Sequence, residues 1–126
     1  MKMGKLILVT GYFGAGKSTL TREAIKTIPY LIYLKTITNR PLRKDEKEGL
    51  EYIFVTTKEY NLLRSKSKKW DHSEISGFYY GADAEKYNQL LVNGKSIICC
   101  VAPDLAIIDQ MNYLYGVKSI LIWIDT

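Results

Sequence analysis

The sequence predicts an α/β fold in which helices flank a mostly parallel sheet. Two observations carry this prediction. Continuous apolar runs, typical of strands buried on both faces, alternate along the chain with segments whose apolar residues have helical spacing. The first such run is followed by a glycine-rich turn and a helical segment, the order expected around a bound phosphate. The chain has 126 residues, a length that fits one domain with its own core.

The N-terminal third predicts a strand, a turn, a helix and two further strands. Residues 6–10 (LILVT) form a buried first strand that ends at Gly11. Residues 20–28 have the apolar spacing of a helix, and 30–38 and 50–56 are predicted strands with a polar loop between them.

The middle of the chain begins with a capping-box pattern. Thr56 is followed three residues later by Glu59, which predicts a helix that starts at this point. Residues 73–81 (SEISGFYYG) predict more β-structure. Asp83 is expected to cap a further helix that closes at Gly94.

Two apolar runs with a helix between them complete the chain. Residues 96–102 and 119–124 predict buried strands. Pro103 suits the first position of the intervening helix, which is expected to end at Gly116.

The segment 36–80 interrupts the alternation of buried strands and helices. It is richer in aromatic residues and in strands with an exposed face. We therefore expect a single domain over 1–126, with a core formed by 1–35 and 81–126 and an inserted β-rich lobe of about 36–80.

Composition and charge narrow the classes of partner. The net charge of +5 and the pI near 9.1 favour anionic partners, and either nucleotides or nucleic acid meet that description. No apolar run approaches the roughly 18 residues of a membrane span. Cys99 and Cys100 are adjacent, which argues against a disulfide scaffold and favours the reducing cytoplasm. His72 is the single histidine, which argues against a histidine-rich metal site.

The glycine-rich turn matches the P-loop pattern G-x-x-x-x-G-K-[ST], which predicts a P-loop NTPase-type core. Glycines allow backbone N–H groups to surround phosphate oxygens at the positive end of the helix. Lys17 can reach the β- and γ-phosphates, and the Ser18 hydroxyl can bind Mg²⁺. The predicted ATP-binding residues are Gly11, Gly14, Ala15, Gly16, Lys17, Ser18 and Thr19.

A second anion site is predicted around "TNRPLR". Arg40 and Arg43 flank Pro41, which restricts the local backbone, so both guanidinium groups can converge on one anion with bidentate geometry. Tyr52 adds a hydroxyl donor.

With these residues in place, the chain resembles the guanylate kinase family. The resemblance rests on "TNRPLRKDEKEGLEYIF", "SGFYYGAD" and "GKSIICCVA", which follow the P-loop in the family's order, and it runs from about Gly4 to the last residue. It implies ATP-dependent phosphoryl transfer to a nucleoside monophosphate such as GMP or dGMP, with Mg²⁺. ATP and the nucleoside monophosphate are the implied partners, whereas membrane and nucleic acid are not expected.

The resemblance also implies individual roles. Arg40, Arg43, Tyr52 and Tyr80 match residues that hold the acceptor's phosphate. Thr36 matches a hydroxyl residue beside the guanine, and Asp71 lies where the family has a base-reading glutamate. Lys17, Arg40 and Arg43 are the implied catalytic residues, Ser18 the implied metal ligand, and 36–80 a mobile lobe that closes over the core. These roles give the candidate acceptor-binding set Thr36, Arg40, Arg43, Tyr52, Asp71 and Tyr80.

Three residues depart from the family pattern. Ala82 replaces a Ser or Thr that contacts the base, and Cys100 and Ala102 replace aspartates. Another nucleoside monophosphate or a ribose phosphate is therefore an alternative acceptor. Family members also continue into an arginine-bearing lid after a strand like 119–124, so we expect a fragment, or a short form with weak or no transfer. A non-catalytic binding module is a further alternative, although such modules typically lose the lysine that is present here as Lys17.

Overall fold

A computed structural model describes residues 2–11, 16–44 and 51–124, apart from the side chains of Lys17 and Ser18. The chain divides into two compact units. The first comprises 1–33 and 86–126, and the second comprises 34–85. In the described ranges, no helix is long and apolar enough to cross a membrane.

The described residues form twelve elements of secondary structure. In chain order they are β1 (Leu6–Gly11), α1 (Lys17–Thr27), β2 (Leu31–Tyr33), β3 (Thr36–Thr38), β4 (Tyr52–Phe54), α2 (Thr57–Lys66), β5 (Trp70–Ile75), β6 (Phe78–Asp83), α3 (Ala84–Val92), β7 (Ser96–Cys100), α4 (Leu105–Tyr115) and β8 (Ile120–Ile124).

The first unit is built on a four-stranded parallel sheet with the strand order β2-β7-β1-β8. Strand β1 lies between two neighbours, and its residues Leu6, Leu8 and Val9 are fully buried. This confirms the buried first strand that the apolar run predicts. Because the strands are parallel, the carboxyl ends of β1, β7 and β8 lie at the same edge of the sheet.

A cluster of buried side chains joins helix α1 to this sheet. Val9, Leu31 and Ile98 form its centre, and Ala24 and Ile25 of α1 pack against them. The apolar spacing of α1 therefore serves to bury one side of the helix. The resulting contacts hold the helix that begins at Lys17 against the sheet.

Two strand predictions are corrected by the structure. The run 30–38 is two strands, β2 and β3, which belong to different sheets. The run 119–124 forms β8, but this strand is not buried, because Ile120, Leu121, Ile122 and Trp123 are 39–47% exposed. In the described sheet β8 is an edge strand with β1 on one side only, so its apolar side chains remain accessible.

The start of helix α4 also differs from the prediction. Asp104 is the N-cap residue, and its carboxylate accepts a hydrogen bond of 2.9 Å from the backbone N–H of Ala106. Pro103 therefore precedes the cap instead of occupying the first helical position. Aspartate is a strong N-cap residue, and here its side chain decides the boundary. Gly116 ends the helix in the left-handed conformation with φ of 68°, as expected.

The second unit contains a mixed sheet with the strand order β4-β3-β6-β5. Strands β5 and β6 form a hairpin whose two turn residues, Ser76 and Gly77, have φ angles of 53° and 82°. Positive φ at both positions is the mark of a type I′ turn. Helix α2 begins with the predicted capping box: Thr56 accepts from the N–H of Glu59, and Glu59 accepts from the N–H of Thr56. These hydrogen bonds to Thr56 lower the pKa of Glu59.

The strand register of this sheet separates its side chains into two faces. We call the first the Tyr80 face; it carries Thr36, Thr38, Tyr52, Phe54, Asp71, Ser73, Tyr80 and Ala82. The second is the α2 face, on which helix α2 packs; it carries Ile37, Ile53, Trp70, His72, Tyr79 and Gly81. The sequence-predicted acceptor residues of β3 to β6 therefore all lie on the Tyr80 face.

Candidate functional site

In the first unit, strand β1 and helix α1 lie on either side of the glycine-rich segment, in the order that the P-loop pattern requires. Strand β1 ends at Gly11, and Gly16 precedes the helix with φ of 90° and ψ of 19°, a left-handed conformation that favours glycine. Gly14 and Ala15 lie outside the described residues, as do the side chains of Lys17 and Ser18. Their predicted contacts with ATP stay predictions.

The N-terminus of α1 is electrostatically suited to an anion. Its first turn contains no acidic residue, and among the described residues no side chain caps it. The first backbone N–H groups of a helix have no partner within the helix, and they carry the positive end of its dipole. A phosphate can accept hydrogen bonds from these groups. Thr19 is exposed in this first turn.

Cys100 lies beside this helix. Strand β7 pairs with β1 so that Cys100 is level with Val9, and the Cys100 Sγ lies 3.6 Å from the Thr21 Oγ1 of α1. The side chain is therefore in contact with α1 beside strand β1, at the position where the resemblance implies a carboxylate. Ala102 follows the end of β7 and is exposed.

The side chains in this region decide whether the protein itself could coordinate Mg²⁺. In the described ranges, no group of three or more His, Cys, Asp or Glu side chains is arranged to hold a metal ion. Mg²⁺ prefers oxygen ligands, and a thiol such as Cys100 is a poor substitute for a carboxylate. The Ser18 side chain lies outside the described residues, so its predicted role as a Mg²⁺ ligand stays a prediction.

In the second unit, Arg40 is held against two aromatic rings. Its guanidinium carbon lies 5.3 Å from the centre of the Tyr52 ring and 5.2 Å from that of Phe54. The side chain is only 7% exposed, and its Nη1 donates a hydrogen bond of 3.1 Å to the Pro41 carbonyl. Cation–π contacts of this kind fix the plane and direction of a guanidinium group.

The backbone turn that carries Arg40 is fixed by two polar side chains. The fully buried Thr38 Oγ1 donates to the Tyr79 carbonyl at 2.7 Å and accepts from the Arg40 N–H at 3.1 Å. The Asn39 side chain accepts from the Tyr79 N–H at 2.7 Å and donates to the Thr57 Oγ1 at 3.0 Å. The turn is thereby tied to β6 and to the start of α2.

The structure brings most of the predicted acceptor residues together. The rings of Tyr52 and Tyr80 meet edge to face with centres 6.3 Å apart. Thr36 is the register partner of Tyr52, and Asp71 is the register partner of Ala82 on the Tyr80 face. Arg40, Tyr52 and Tyr80 therefore form one cluster, with Thr36 and Asp71 on the same face of the sheet.

Arg43 differs from Arg40. It is exposed, and it lies close to the end of the described range 16–44. The convergence of both arginines on one anion therefore stays a prediction.

Three contributors to this site were missed from the sequence. Phe54 stacks on Arg40, while Thr38 and Asn39 hold its turn. A usable signal was present, because Thr and Asn directly before Arg-Pro commonly form side-chain hydrogen bonds with local backbone. An aromatic residue two positions after Tyr52 also shares its face of a strand.

A parallel sheet whose first strand leads through a glycine-rich segment into a helix, together with an arginine–tyrosine cluster on a second sheet, is typical of an α/β protein with a P-loop-type core. The comparisons with known proteins agree with this class. The sequence model of the guanylate kinase family matches residues 3–124, and this chain belongs to the guanylate kinase family.

Individual relatives of this chain are themselves guanylate kinases. The guanylate kinase of Rubrobacter xylanophilus is 38% identical over 98 residues, which cover 78% of this chain and 51% of that protein. The guanylate kinase of Clostridium acetobutylicum is 30% identical over 116 residues, which cover 92% of this chain and 55% of that protein. The chain thus spans about half the length of these curated relatives.

A solved structure confirms the fold. The crystal structure of guanylate kinase from Anaplasma phagocytophilum matches with a TM-score of 0.72 and 21% sequence identity. The match covers 98% of this chain and 60% of the other chain.

Proposed function

We propose that the protein transfers the γ-phosphoryl group of ATP to a nucleoside monophosphate, with GMP or dGMP as the acceptor. The observation that carries this proposal is the cluster of Arg40, Tyr52 and Tyr80 on one sheet face, in a chain whose other unit has a P-loop. The names of the relatives support the same activity. Cys99 and Cys100 form no disulfide, which is in keeping with a cytoplasmic protein.

In this reaction the bond between the γ-phosphorus and the bridging oxygen of ATP breaks, and a phosphate oxygen of the acceptor forms the new bond. The products are ADP and a nucleoside diphosphate. The protein contributes by positioning and by neutralising charge. Lys17 and the N-terminus of α1 hold the ATP phosphates. Arg40 and Arg43 hold the acceptor phosphate, with hydroxyl donors from Tyr52 and Tyr80.

The base of the acceptor is expected to lie by Thr36 and Asp71. The Asp71 carboxylate can accept hydrogen bonds from the N–H groups of guanine. Segment 36–80 is expected to be the acceptor-binding lobe that closes on the P-loop core during the reaction, and closure excludes water that would otherwise accept the phosphoryl group.

A second acceptor class is favoured by one specific observation. Ala82 lies opposite Asp71 in the sheet register and has no hydroxyl group with which to read a base. The guanine edge then has fewer protein partners, and each unpaired buried group costs about 1–3 kcal/mol. Another nucleoside monophosphate or a ribose phosphate is the second candidate.

A coupled phosphotransfer assay tests the proposal. ATP is supplied with GMP, dGMP, AMP, UMP or ribose 5-phosphate, and ADP formation is followed, with the Rubrobacter xylanophilus relative as a positive control. Among these acceptors we expect GMP and dGMP to give the highest turnover, even where transfer is weak. The Lys17→Met variant should lose about 100-fold or more because charge on the transferring group is no longer neutralised. Turnover of ribose 5-phosphate alone would overturn the nucleotide assignment. No turnover and no GMP binding would overturn the proposal itself.

A further inference from the structure

A chain of hydrogen bonds lies on the α2 face, behind the proposed acceptor site. The Nε1–H of Trp70 donates to the Tyr60 hydroxyl at 3.1 Å, and the same hydroxyl lies 2.7 Å from the Nδ1 of His72. Tyr60 is fully buried, and it is the buried residue through which helix α2 packs on the sheet.

The direction of these hydrogen bonds follows from the chemistry of the three groups. The indole N–H of Trp70 can only donate, so the Tyr60 oxygen accepts it. The Tyr60 hydroxyl has one proton, and among its hydrogen bonds in the described structure His72 Nδ1 is the group that can accept this proton. The Nδ1 therefore carries no proton, and a neutral His72 ring carries its proton on Nε2.

Trp70 and His72, the two end residues of this hydrogen-bond chain, are the sequence neighbours of Asp71. Trp70 and His72 point to the α2 face, so Asp71 between them points to the Tyr80 face. Fixing residues 70 and 72 on Tyr60 therefore holds the backbone of Asp71 and keeps its side chain on the Tyr80 face.

Tyr80 is constrained in the same way by its neighbours. The ring of Tyr79 packs on those of Tyr60 and His72, each with a centre-to-centre distance of 5.3 Å. On the other side, Gly81 leaves no room for a side chain, since a Cβ there would collide with Trp70 Nε1 and the Tyr60 hydroxyl. The hydrogen-bond chain thus fits directly against the backbone that presents Tyr80.

We infer that the Trp70–Tyr60–His72 chain is a positioning device for the acceptor site, engaged while the His72 ring is neutral. Tyr60 and His72 are accordingly positioning residues for Asp71 and Tyr80. This inference rests on the function proposed above, because the benefit of the positioning is acceptor affinity.

Protonation of His72 opposes the arrangement. A protonated ring has N–H groups at both nitrogens, so the Tyr60 hydroxyl would meet a second donor in place of its acceptor. Burial and the positive charge of Arg64 lower the pKa of His72, and Glu74 and Asp71 oppose them. Among the described residues, the ionisable groups around the ring are Tyr60 and Arg64 of α2, Tyr79 of β6, and Asp71 and Glu74 of β5.

The first experiment reads the proton position directly. His72 is the only histidine in the sequence, so long-range ¹H–¹⁵N spectra of the ring contain one set of signals. Near neutral pH we expect the signature of a ring protonated at Nε2, with Nδ1 as an acceptor. A ring protonated at Nδ1 would overturn the inferred hydrogen-bond chain, whatever the protein's substrate is.

The second experiment measures GMP and ATP dissociation constants for the Tyr60→Phe and His72→Asn variants. Phenylalanine removes the hydroxyl, so we expect GMP affinity to fall about tenfold with ATP affinity unchanged, because the groups that position the strands lose their shared partner. Tyr113→Phe is the matched control, since Tyr113 is 84% exposed, and it should bind GMP normally.

The asparagine variant separates positioning from folding. Its Oδ1 can replace Nδ1 as acceptor, and it does not titrate, so GMP affinity near neutral pH should remain within about twofold. On acidification to about pH 5, the unaltered protein should lose more GMP affinity than His72→Asn does; titration of the GMP phosphate affects both equally. Equal pH dependence, or normal GMP binding by a folded Tyr60→Phe variant, would overturn the inference. If the unaltered chain bound no mononucleotide, the proposed function would fail and the positioning role with it, while the tautomer would still decide the hydrogen-bond chain.

Discussion

Replacing Arg40 by alanine should weaken binding at the proposed acceptor site and leave ATP binding at the P-loop nearly unchanged. Arg40 is 7% exposed and stacked on Tyr52 and Phe54, so its guanidinium is held in one orientation before any acceptor arrives. Two charge-assisted hydrogen bonds to a phosphate, each contributing about 1.5 kcal/mol, give a loss of about 3 kcal/mol, or about 100-fold in the GMP dissociation constant. ATP affinity should change less than about twofold, because the P-loop belongs to the other unit.

The same substitution should lower the stability of the fold. The two ring contacts at 5.3 and 5.2 Å are lost. Contacts of this type contribute about 0.5–2 kcal/mol each, so the free energy of unfolding should fall by about 1–4 kcal/mol. A thermal melt therefore accompanies each titration, to ensure that binding is measured on folded protein.

Isothermal titration calorimetry with GMP and with ATP measures both affinities. Lys68→Ala is the matched control, because it removes one positive charge from an exposed position in the same unit. Arg40→Lys keeps the charge but lacks the planar fork, and we expect it to bind GMP with intermediate affinity. Equal losses of ATP and GMP affinity in Arg40→Ala, or unchanged GMP affinity, would refute the reasoning.

Three further predictions concern stability. Gly81→Ala should reduce the free energy of unfolding by about 3–5 kcal/mol in denaturant titrations, because the new methyl group collides with Trp70 and Tyr60; a cost below about 1 kcal/mol would contradict the packing. Thr10→Val should raise the melting temperature by several degrees, since the buried Thr10 hydroxyl has no hydrogen-bond partner in the described structure; a lower value would reveal a partner. Burial lowers the pKa of His72 below 6.5, so the unfolded chain is protonated at a higher pH than the folded protein, and the free energy of unfolding should fall as the pH drops below about 6.5. The His72→Asn variant should show a flatter dependence of stability on pH. An unchanged dependence would exclude His72 as its source.

Local patterns predicted the parts of the fold that depend on neighbouring residues in the sequence. The capping box of Thr56 and Glu59 involves four consecutive residues, and its hydrogen bonds form as expected. The buried character of β1 also follows from its apolar run, since both of its neighbours are strands. The exposure of β8 could not be predicted in this way, because a strand's burial depends on the elements beside it.

The division of 30–38 had no local signal. Leu34 and Lys35 separate β2 from β3, but neither is a glycine, a proline or another turn residue that would mark a boundary. Only the partners of the two strands, β7 for one and β4 with β6 for the other, place them in different sheets. Tertiary pairing decides such a boundary.

The candidate site shows the same limit. The P-loop could be recognised because its chemistry requires residues at fixed short spacing. The stacking of Arg40 on Phe54 depends on the register of β3 with β4. The contact of Tyr60 with His72 depends on the packing of a helix against a hairpin. Neither contact is encoded by residue spacing alone.

The central claim is that donor and acceptor nucleotides bind at separate places, the P-loop in one unit and the Tyr80 face in the other. Backbone amide spectra of ¹⁵N-labelled protein, titrated with GMP and then with MgATP, test it most directly. We predict that GMP shifts the signals of Arg40, Tyr52 and Tyr80, and that MgATP shifts those of Gly11 and Gly16 at its own saturation point. Shifts of the same residues by both nucleotides, with competition between them, would contradict the account.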